Sequence, residues 1–265
     1  MRLEYKYLIP VSKFQKIRDA IIPYFVPDKF ALKNKSKEYT VRSLYFDTPR
    51  LQYYFEKVEG AKNRKKVRIR VYDNYAAGTI AFLEIKRKNG EHISKFRAPL
   101  LYQDLDKLFE IRDVKNLIIC NKSHKAIENA KMFLSYLIQD NLNPVSLVTY
   151  EREALVSKFD HSLRITFDKN LRFLSSAQYK NMFEEEKLQK VLKDKVIIEI
   201  KFKNTMPTWL RDILIKYGLH RKSVSKYVIC MDGNNHFDKT KKLALTNLNL
   251  SHSSLQNIIL KKNAS

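Results

Sequence analysis

Residues 64–72 read Arg-Lys-Lys-Val-Arg-Ile-Arg-Val-Tyr. In a β-strand the side chains at i, i+2 and i+4 share a face. Arg64, Lys66, Arg68 and Arg70 therefore stand on one side, with Val67, Ile69 and Val71 behind them. The pattern recurs along the chain. Glu84, Lys86 and Lys88 alternate with Leu83 and Ile85, and Lys95 shares a face with Arg97. Arg164, Thr166 and Asp168 are backed by Leu163, Ile165 and Phe167; Glu199, Lys201 and Lys203 are backed by Ile198, Ile200 and Phe202. Glu4 with Lys6, and Tyr150 with Arg152, repeat the theme.

Any one of these strands could be the solvated face of an ordinary antiparallel sheet. Together they point elsewhere, because solvent faces usually mix Thr, Ser and Gln with both charges, and these favour Arg and Lys. Helices are predicted from Ser12 to about Phe25, at 104–109, 124–140 and 180–193, and between Pro207 and Gly218. A short one carries Ser225, Lys226 and Tyr227. Their apolar sides need a surface to cover, and the backs of the strands supply it. With helices outside, the charged faces converge inward. An unpaired charge in a dry core costs roughly several kcal/mol, so the interior is expected to be a wet tunnel that takes ions or a polyanion. The expected class is α+β, an antiparallel β tunnel or barrel with a basic lumen and helices packed outside.

The bulk numbers agree. A chain of 265 residues, 44% hydrophobic, can bury one sizeable core. Its 51 basic and 28 acidic side chains leave a formal charge of +23, for which nucleic acid, acidic lipid and polyphosphate are all natural partners. Only five glycines argue against a Gly-rich phosphate loop, and no GxxxxGK[ST], GxGxxG or HExxH motif is present. The absence of homeodomain, zinc-finger and RNP signatures argues against sequence-specific nucleic-acid binding. Cys120 and Cys230 have no metal-ligand spacing, and a reducing, cytoplasmic location is expected. No apolar run approaches the roughly 20 residues of a membrane span, and the N-terminus does not read as a signal peptide. The expectation is a soluble protein, with a membrane partner protein left open. With no repeat or linker, residues 1–238 form one expected domain, followed by a polar tail, 239–265, holding one short helix near 251–262.

The stretches 4–9 (EYKYLI), 41–49 (VRSLYFDTP), 63–72 (NRKKVRIRVY), 83–88 (LEIKRK), 164–168 (RITFD), 197–203 (IIEIKFK) and 224–227 (VSKY) resemble the VTC-type polyphosphate polymerase domain. That domain belongs to the triphosphate tunnel metalloenzymes, and the resemblance runs in order from residue 2 to about 233. It implies an eight-stranded tunnel that takes ATP and polyphosphate and transfers the γ-phosphoryl group onto the growing chain. It also implies Mn²⁺ or Mg²⁺ held partly by Glu199. By the same resemblance Arg68, Arg70, Lys86, Arg152, Arg164, Lys201 and Lys226 look like phosphate ligands, and Lys6, Lys95 and Arg97 match less distinctive basic positions. Catalysis would fall to Arg164, Lys201, Lys226 and Glu199. The superfamily's ExExK signature stands here as Arg2-x-Glu4-x-Lys6. The missing first acid favours a polymerase over a triphosphate hydrolase, and a non-catalytic polyphosphate or inositol-phosphate binding module is the other alternative.

Several residues keep two readings. Arg42 shares a face with Thr40, Leu44 and Phe46, so its direction is open. Glu4 and Glu84 are salt-bridge partners or metal ligands, and Asp168 caps a strand end or meets a metal. The run from Lys62 to Lys66 reads as a tunnel mouth, Trp209 as a core anchor, and His92 and His124 as surface residues.

Overall fold

A computed structural model of the chain describes residues 2–119 and 124–233. Its strands are β1 (Arg2–Pro10), β2 (Phe25–Pro27), β3 (Glu38–Asp47), β4 (Arg64–Tyr72), β5 (Ile80–Asn89), β6 (His92–Leu101), β7 (Asn143–Ser157), β8 (Arg164–Ser175), β9 (Gln189–Lys190) and β10 (Lys195–Lys203). The α-helices are α1 (Val11–Ile21), α2 (Gln52–Val58), α3 (Leu105–Ile111), α4 (Val114–Leu117), α5 (Lys125–Gln139), α6 (Thr208–Lys216) and α7 (Lys226–Asp232).

Eight strands form one antiparallel sheet in the order β1-β10-β8-β7-β3-β4-β5-β6, with β2 added beside β7 and β9 beside β8. The end strands β1 and β6 are not joined by backbone bonds, so the sheet curls without closing into a hydrogen-bonded barrel. Glu4 of β1 reaches Lys86 of β5 across the seam at 3.8 Å.

Alternation sorts the two faces. On the convex face Leu44, Val67, Ile69, Leu83, Ile85 and Leu147 pack under Leu105 and Leu108 of α3 and Phe133 of α5. Ile9, Ile165, Phe167, Ile198 and Ile200 pack under Ile17 and Ile21 of α1 and Leu210 and Leu214 of α6. Trp209 joins this second core, stacked on Tyr24. The helices outside the sheet are therefore where the strand backs call for them.

The concave face carries a third core that the outside-helix argument does not foresee. A bulge in β8 at Asn170, whose φ is 50°, adds one residue to that strand. It shifts the inward parity, so that Thr166 and Asp168 face the lumen before the bulge, and Leu171 and Phe173 after it. These two join Val41, Tyr45, Val148, Tyr150 and Ile197 beneath Tyr227, Cys230 and Met231 of α7 and Tyr54 and Phe55 of α2. One part of the inner surface is thus plugged by apolar packing, and the rest is left to charge.

Three local expectations are corrected. The first helix ends at Ile21, passes into a 3₁₀ turn at Ile22–Tyr24, and leaves Phe25 to begin β2. Its cap position is Pro10, not Ser12, which lies within the helix. No helix forms over 180–193; a 3₁₀ turn at Tyr179–Asn181 and the two-residue β9 stand there. Glu185 is drawn instead to Arg42 at 2.5 Å and to Arg172 at 2.8 Å, and these tertiary pairs override a weak helical preference. The helix α2 has no counterpart in the sequence reading. The tail from 239 and Cys120 lie outside the described residues.

The start of α2 explains itself through Asp47. This fully buried carboxylate accepts the N–H groups of Thr48, Tyr53 and Tyr54 at 2.8–2.9 Å and the Tyr227 hydroxyl at 2.6 Å. It ties the end of β3 to α2 and α7 together. Each buried donor left unpaired costs about 1–3 kcal/mol. Asp47→Ala is therefore expected to lower stability in urea denaturation by clearly more than Tyr227→Phe, which removes one donor and leaves none stranded. Equal losses would show that the tie does not matter.

Candidate functional site

The charged half of the concave face encloses a narrow cavity of about 160 Å³. Six strands and α7 contribute its cations: Lys6 from β1; Lys66, Arg68 and Arg70 from β4; Lys86 and Lys95 from β5 and β6; Arg152 and Lys201 from β7 and β10; and Lys226. Glu4 and Glu199 are the carboxylates in the same wall, with Tyr45, Tyr150 and Ser225.

Register sets the pairing. Lys6 stands opposite Glu199, Arg152 opposite Asp168, and Glu84 between Arg68 and Arg97. Glu199 lies 2.8 Å from Lys226, 3.2 Å from Lys6, 3.5 Å from Arg152 and 3.6 Å from Lys201. Asp168 accepts both prongs of the Arg152 guanidinium at 2.6 and 2.7 Å and meets Lys226 at 2.5 Å. Glu84 meets Arg68 at 2.7 Å, Arg97 at 3.2 Å and Arg70 at 3.8 Å. Glu4 meets Lys6 at 3.2 Å.

Burial favours the neutral form of each acid, yet the cations win. Lys226, Lys6, Lys201 and Arg152 hold Glu199 well below the ordinary carboxylate range. Arg68, Arg70 and Arg97 bring Glu84 down to about 2, and Lys6, with Lys86 and Lys201, brings Glu4 to about 2. Asp168 is lowered by Arg152 and Lys226. All four acids are therefore ionised at neutral pH.

They do not suffice for the cations. Lys66 donates to the Ser225 hydroxyl at 2.7 Å, and burial with Lys6, Lys86 and Lys57 nearby pushes it well below its ordinary value. Burial, followed by Arg152 and Lys95, overrides Glu199 and brings Lys201 to about 8. Tyr45 accepts from Arg68 at 2.9 Å, and Arg68 and Arg70 lower its phenol in spite of burial. Forked guanidinium donors and mobile ammonium groups converging on a confined space match tetrahedral oxyanions.

Lys6, Arg68, Arg70, Lys86, Lys95, Arg152, Lys201, Lys226 and Glu199 come together in this one cavity. Two of the expected residues stand apart. Arg97 is 45% exposed, pairs with Glu84 and lies 3.4 Å over the Phe82 ring. Arg164 opens β8, exposed, across from Lys201 and outside the cavity wall. Arg42 points outward, buried against Glu185 and the Asp73 carbonyl. Glu4, Glu84 and Asp168 are ion-pair partners. Sequence reasoning put Lys66 on the right face without placing it in the site, and Tyr45 becomes visible only once β3 is set against β4.

Among the described residues no three acidic, His or Cys side chains gather as a metal cluster. Mg²⁺-type ions take many of their oxygens from phosphates and water, with one or two carboxylates. Glu199 and Glu4, both against Lys6, are the carboxylates that could serve in that mode.

Two expectations follow from this geometry. Arg68→Ala, Arg70→Ala or Arg152→Ala should each weaken tripolyphosphate binding by about tenfold, as charge-assisted bonds of about 1.5–3 kcal/mol are lost. Arg164→Ala, on the rim, should cost less, and exposed Lys190→Ala nothing; equal losses across all five would mean diffuse attraction. The second concerns pH. A lysine brought down to about 8 is charged below that pH and neutral above it. Calorimetric affinity for tripolyphosphate should therefore fall as pH rises through about 8, and Lys201→Arg should flatten that fall. An unchanged profile in the variant would remove Lys201 as its source.

Two solved structures and one family model are similar to this chain. PH1819 from Pyrococcus horikoshii OT3 superposes with a TM-score of 0.46 at 15% identity, covering 88% of this chain and 100% of that one. HpAC1 from Hippeastrum, an adenylyl cyclase candidate described as having a dominant triphosphatase activity, gives 0.48 at 16% identity, covering 88% and 97%. No curated protein sequence matches. A model of the VTC domain family matches residues 1–233, a span that takes in all of the described residues. The chain belongs to the VTC domain family.

Proposed function

We propose that this protein is a polyphosphate polymerase that transfers the γ-phosphoryl group of ATP onto the end of a polyphosphate chain inside the basic lumen. The observation that carries the reading is the excess of converging cations over carboxylates in one narrow cavity. Phosphoryl transfer asks for in-line placement and neutralised nonbridging oxygens, not for a protein nucleophile. A terminal oxygen of the chain attacks the γ-phosphorus, the bond from that phosphorus to the β–γ bridging oxygen breaks, and ADP leaves with the electron pair. Arg68, Arg70 and Arg152 grip the nonbridging oxygens. Lys226, Lys201, Lys6 and Lys86 offset the charge of donor and acceptor brought together. Arg164 and Arg97, nearer solvent, steer anions inward. Glu199 would help to hold Mn²⁺ or Mg²⁺, which when bound would supply further neutralisation of phosphate charge.

One observation favours a second reading, a binding module without catalysis. Each lumen carboxylate is already held by two or more cations, as it would be in a purely structural network. A triphosphate hydrolase is the third reading, disfavoured by Arg2 at the position of the first signature acid. Among the described residues no helix is long and apolar enough to cross a membrane. The reading places the protein in the cytoplasm, where ATP is supplied, with any membrane role left to a partner protein.

The test is incubation of pure protein with ATP and Mn²⁺, followed by gel and nucleotide analysis. A ladder of polymer formed together with ADP supports the polymerase. Tripolyphosphate binding with no turnover under either metal supports the module, and orthophosphate in place of polymer supports the hydrolase. In an active enzyme Glu199→Gln is expected to bind metal-free tripolyphosphate at least as well as the native chain, because one anionic charge is gone. Its turnover should fall by about two or more orders of magnitude, the scale of losing a charge-neutralising centre. Normal turnover in that variant would take Glu199 out of the mechanism.

A further inference from the structure

Large apolar side chains left in solvent gather around β2, on the outside of the sheet and away from the lumen. Val26, Phe30, Leu32 and Phe159 are 43%, 52%, 63% and 78% exposed. A single exposed apolar side chain is ordinary, but several around one three-residue strand mark a surface that meets something apolar. Backbone bonds fix where they stand. Val26 pairs with Val156 of β7, the Asp28 N–H donates to the Ala154 carbonyl at 2.8 Å, and the Lys158 N–H donates to that of Tyr24 at 3.0 Å. The turn carrying Phe30 and Leu32 therefore leaves one end of β2, and the β7–β8 hairpin carrying Phe159 flanks the other. Along β7 the two tips are separated by roughly 15 Å.

The same segments are basic. Lys29, Lys33, Lys35 and Lys37 are exposed, and none of them forms an ion pair with another described residue. The Lys29 and Lys33 ammonium groups lie 5.3 and 5.8 Å from the centre of the Phe30 ring, so charge and ring are presented together. The nearby acids build the turns: Asp28 accepts the Phe30 and Ala31 N–H groups, and Asp160 accepts the Ser162 N–H and hydroxyl. Between the tips runs a groove of about 430 Å³ that includes Ile22, Pro23 and Val26, with Lys37 and Lys158 in its wall. An added strand does not suit this edge, because Pro27 has no N–H to offer it. Separate apolar tips among long, flexible lysines suit a fluid surface, anionic outside and apolar just beneath.

We propose that this face docks on an anionic lipid bilayer. Phe30, Leu32 and Phe159 enter the headgroup layer, and Lys29, Lys33, Lys35, Lys37 and Lys158 meet the lipid phosphates and carboxylates. The contact is peripheral, requires no spanning helix, and stands apart from whatever the lumen binds.

The test is cosedimentation of the full chain with vesicles of phosphatidylcholine alone and of equimolar phosphatidylserine and phosphatidylcholine. The native protein should bind the anionic vesicles and leave the neutral ones. Phe30→Ser/Leu32→Ser/Phe159→Ser and Lys29→Gln/Lys33→Gln/Lys35→Gln/Lys37→Gln, each checked for folding by thermal melting, should weaken that binding by about tenfold or more. Arg68→Ala, in the lumen, should bind vesicles as the native chain does. Equal binding to both vesicle types, or to neither, overturns the proposal. Native affinity in the apolar variant overturns it too, because adsorption is then the general attraction of a basic protein. A loss in Arg68→Ala as large as in the lysine variant would move the contact to the lumen. Binding to soluble polyglutamate without binding to anionic vesicles would replace the bilayer with an acidic protein partner.

Discussion

Like charges crowded inside a curled sheet are the constraint on which this molecule depends. Two unit charges 4 Å apart repel by about 4 kcal/mol at the effective dielectric of a partly wet protein site. The lumen of this chain brings nine cationic side chains into the wall of one narrow cavity. Four carboxylates offset part of that repulsion: Glu4 and Glu199 within the wall, Glu84 and Asp168 just behind it. The lysines left over bond to serine hydroxyls or sit below their usual pKa. A protein that keeps such a cluster gains stability when an anion enters, and the architecture around the cluster follows from the same need. The strand backs are apolar because helices must enclose a wet interior from outside.

The concave face is divided, and the division has a mechanical consequence. Past the bulge at Asn170 the inward residues become Leu171 and Phe173, and α7 settles on them. This packing anchors the helix whose first residue, Lys226, reaches Asp168 and Glu199. Asp47 holds the next residue, Tyr227, whose ring stacks on Tyr45 at 4.9 Å between centroids. Tyr45 in turn accepts from Arg68. Apolar packing, one buried carboxylate and a pair of stacked rings thus fix the cations in place before any ligand arrives, which is what a site of converging charges requires.

Much of this was legible in the chain because β-structure has a period of two. The alternation in 64–72, 83–88 and 197–203 identified both faces of β4, β5 and β10, and the need to cover apolar backs placed most helices outside. What escaped depends on information that periodicity does not carry. Arg164 lies on the inward face, but at the first residue of β8, so it reaches the rim instead of the cavity. Arg97 turns to Glu84 and Phe82 because register sets them side by side. The apolar spacing of Tyr227, Cys230 and Met231 identifies a buried helix face without saying which side of the sheet buries it. Residues 180–193 have the composition of a surface helix, and ion pairs from Glu185 to Arg42 and Arg172 determined otherwise.

The most direct measurement of the central claim is the thermal unfolding of the native protein against tripolyphosphate concentration at low salt. If the lumen is a cationic cluster awaiting an anion, the melting temperature rises with ligand. At about 100 times the dissociation constant the gain is roughly 2.7 kcal/mol, or several degrees. A melting curve unmoved by millimolar tripolyphosphate, while the protein remains folded, would contradict the claim that these cations face a common anion site.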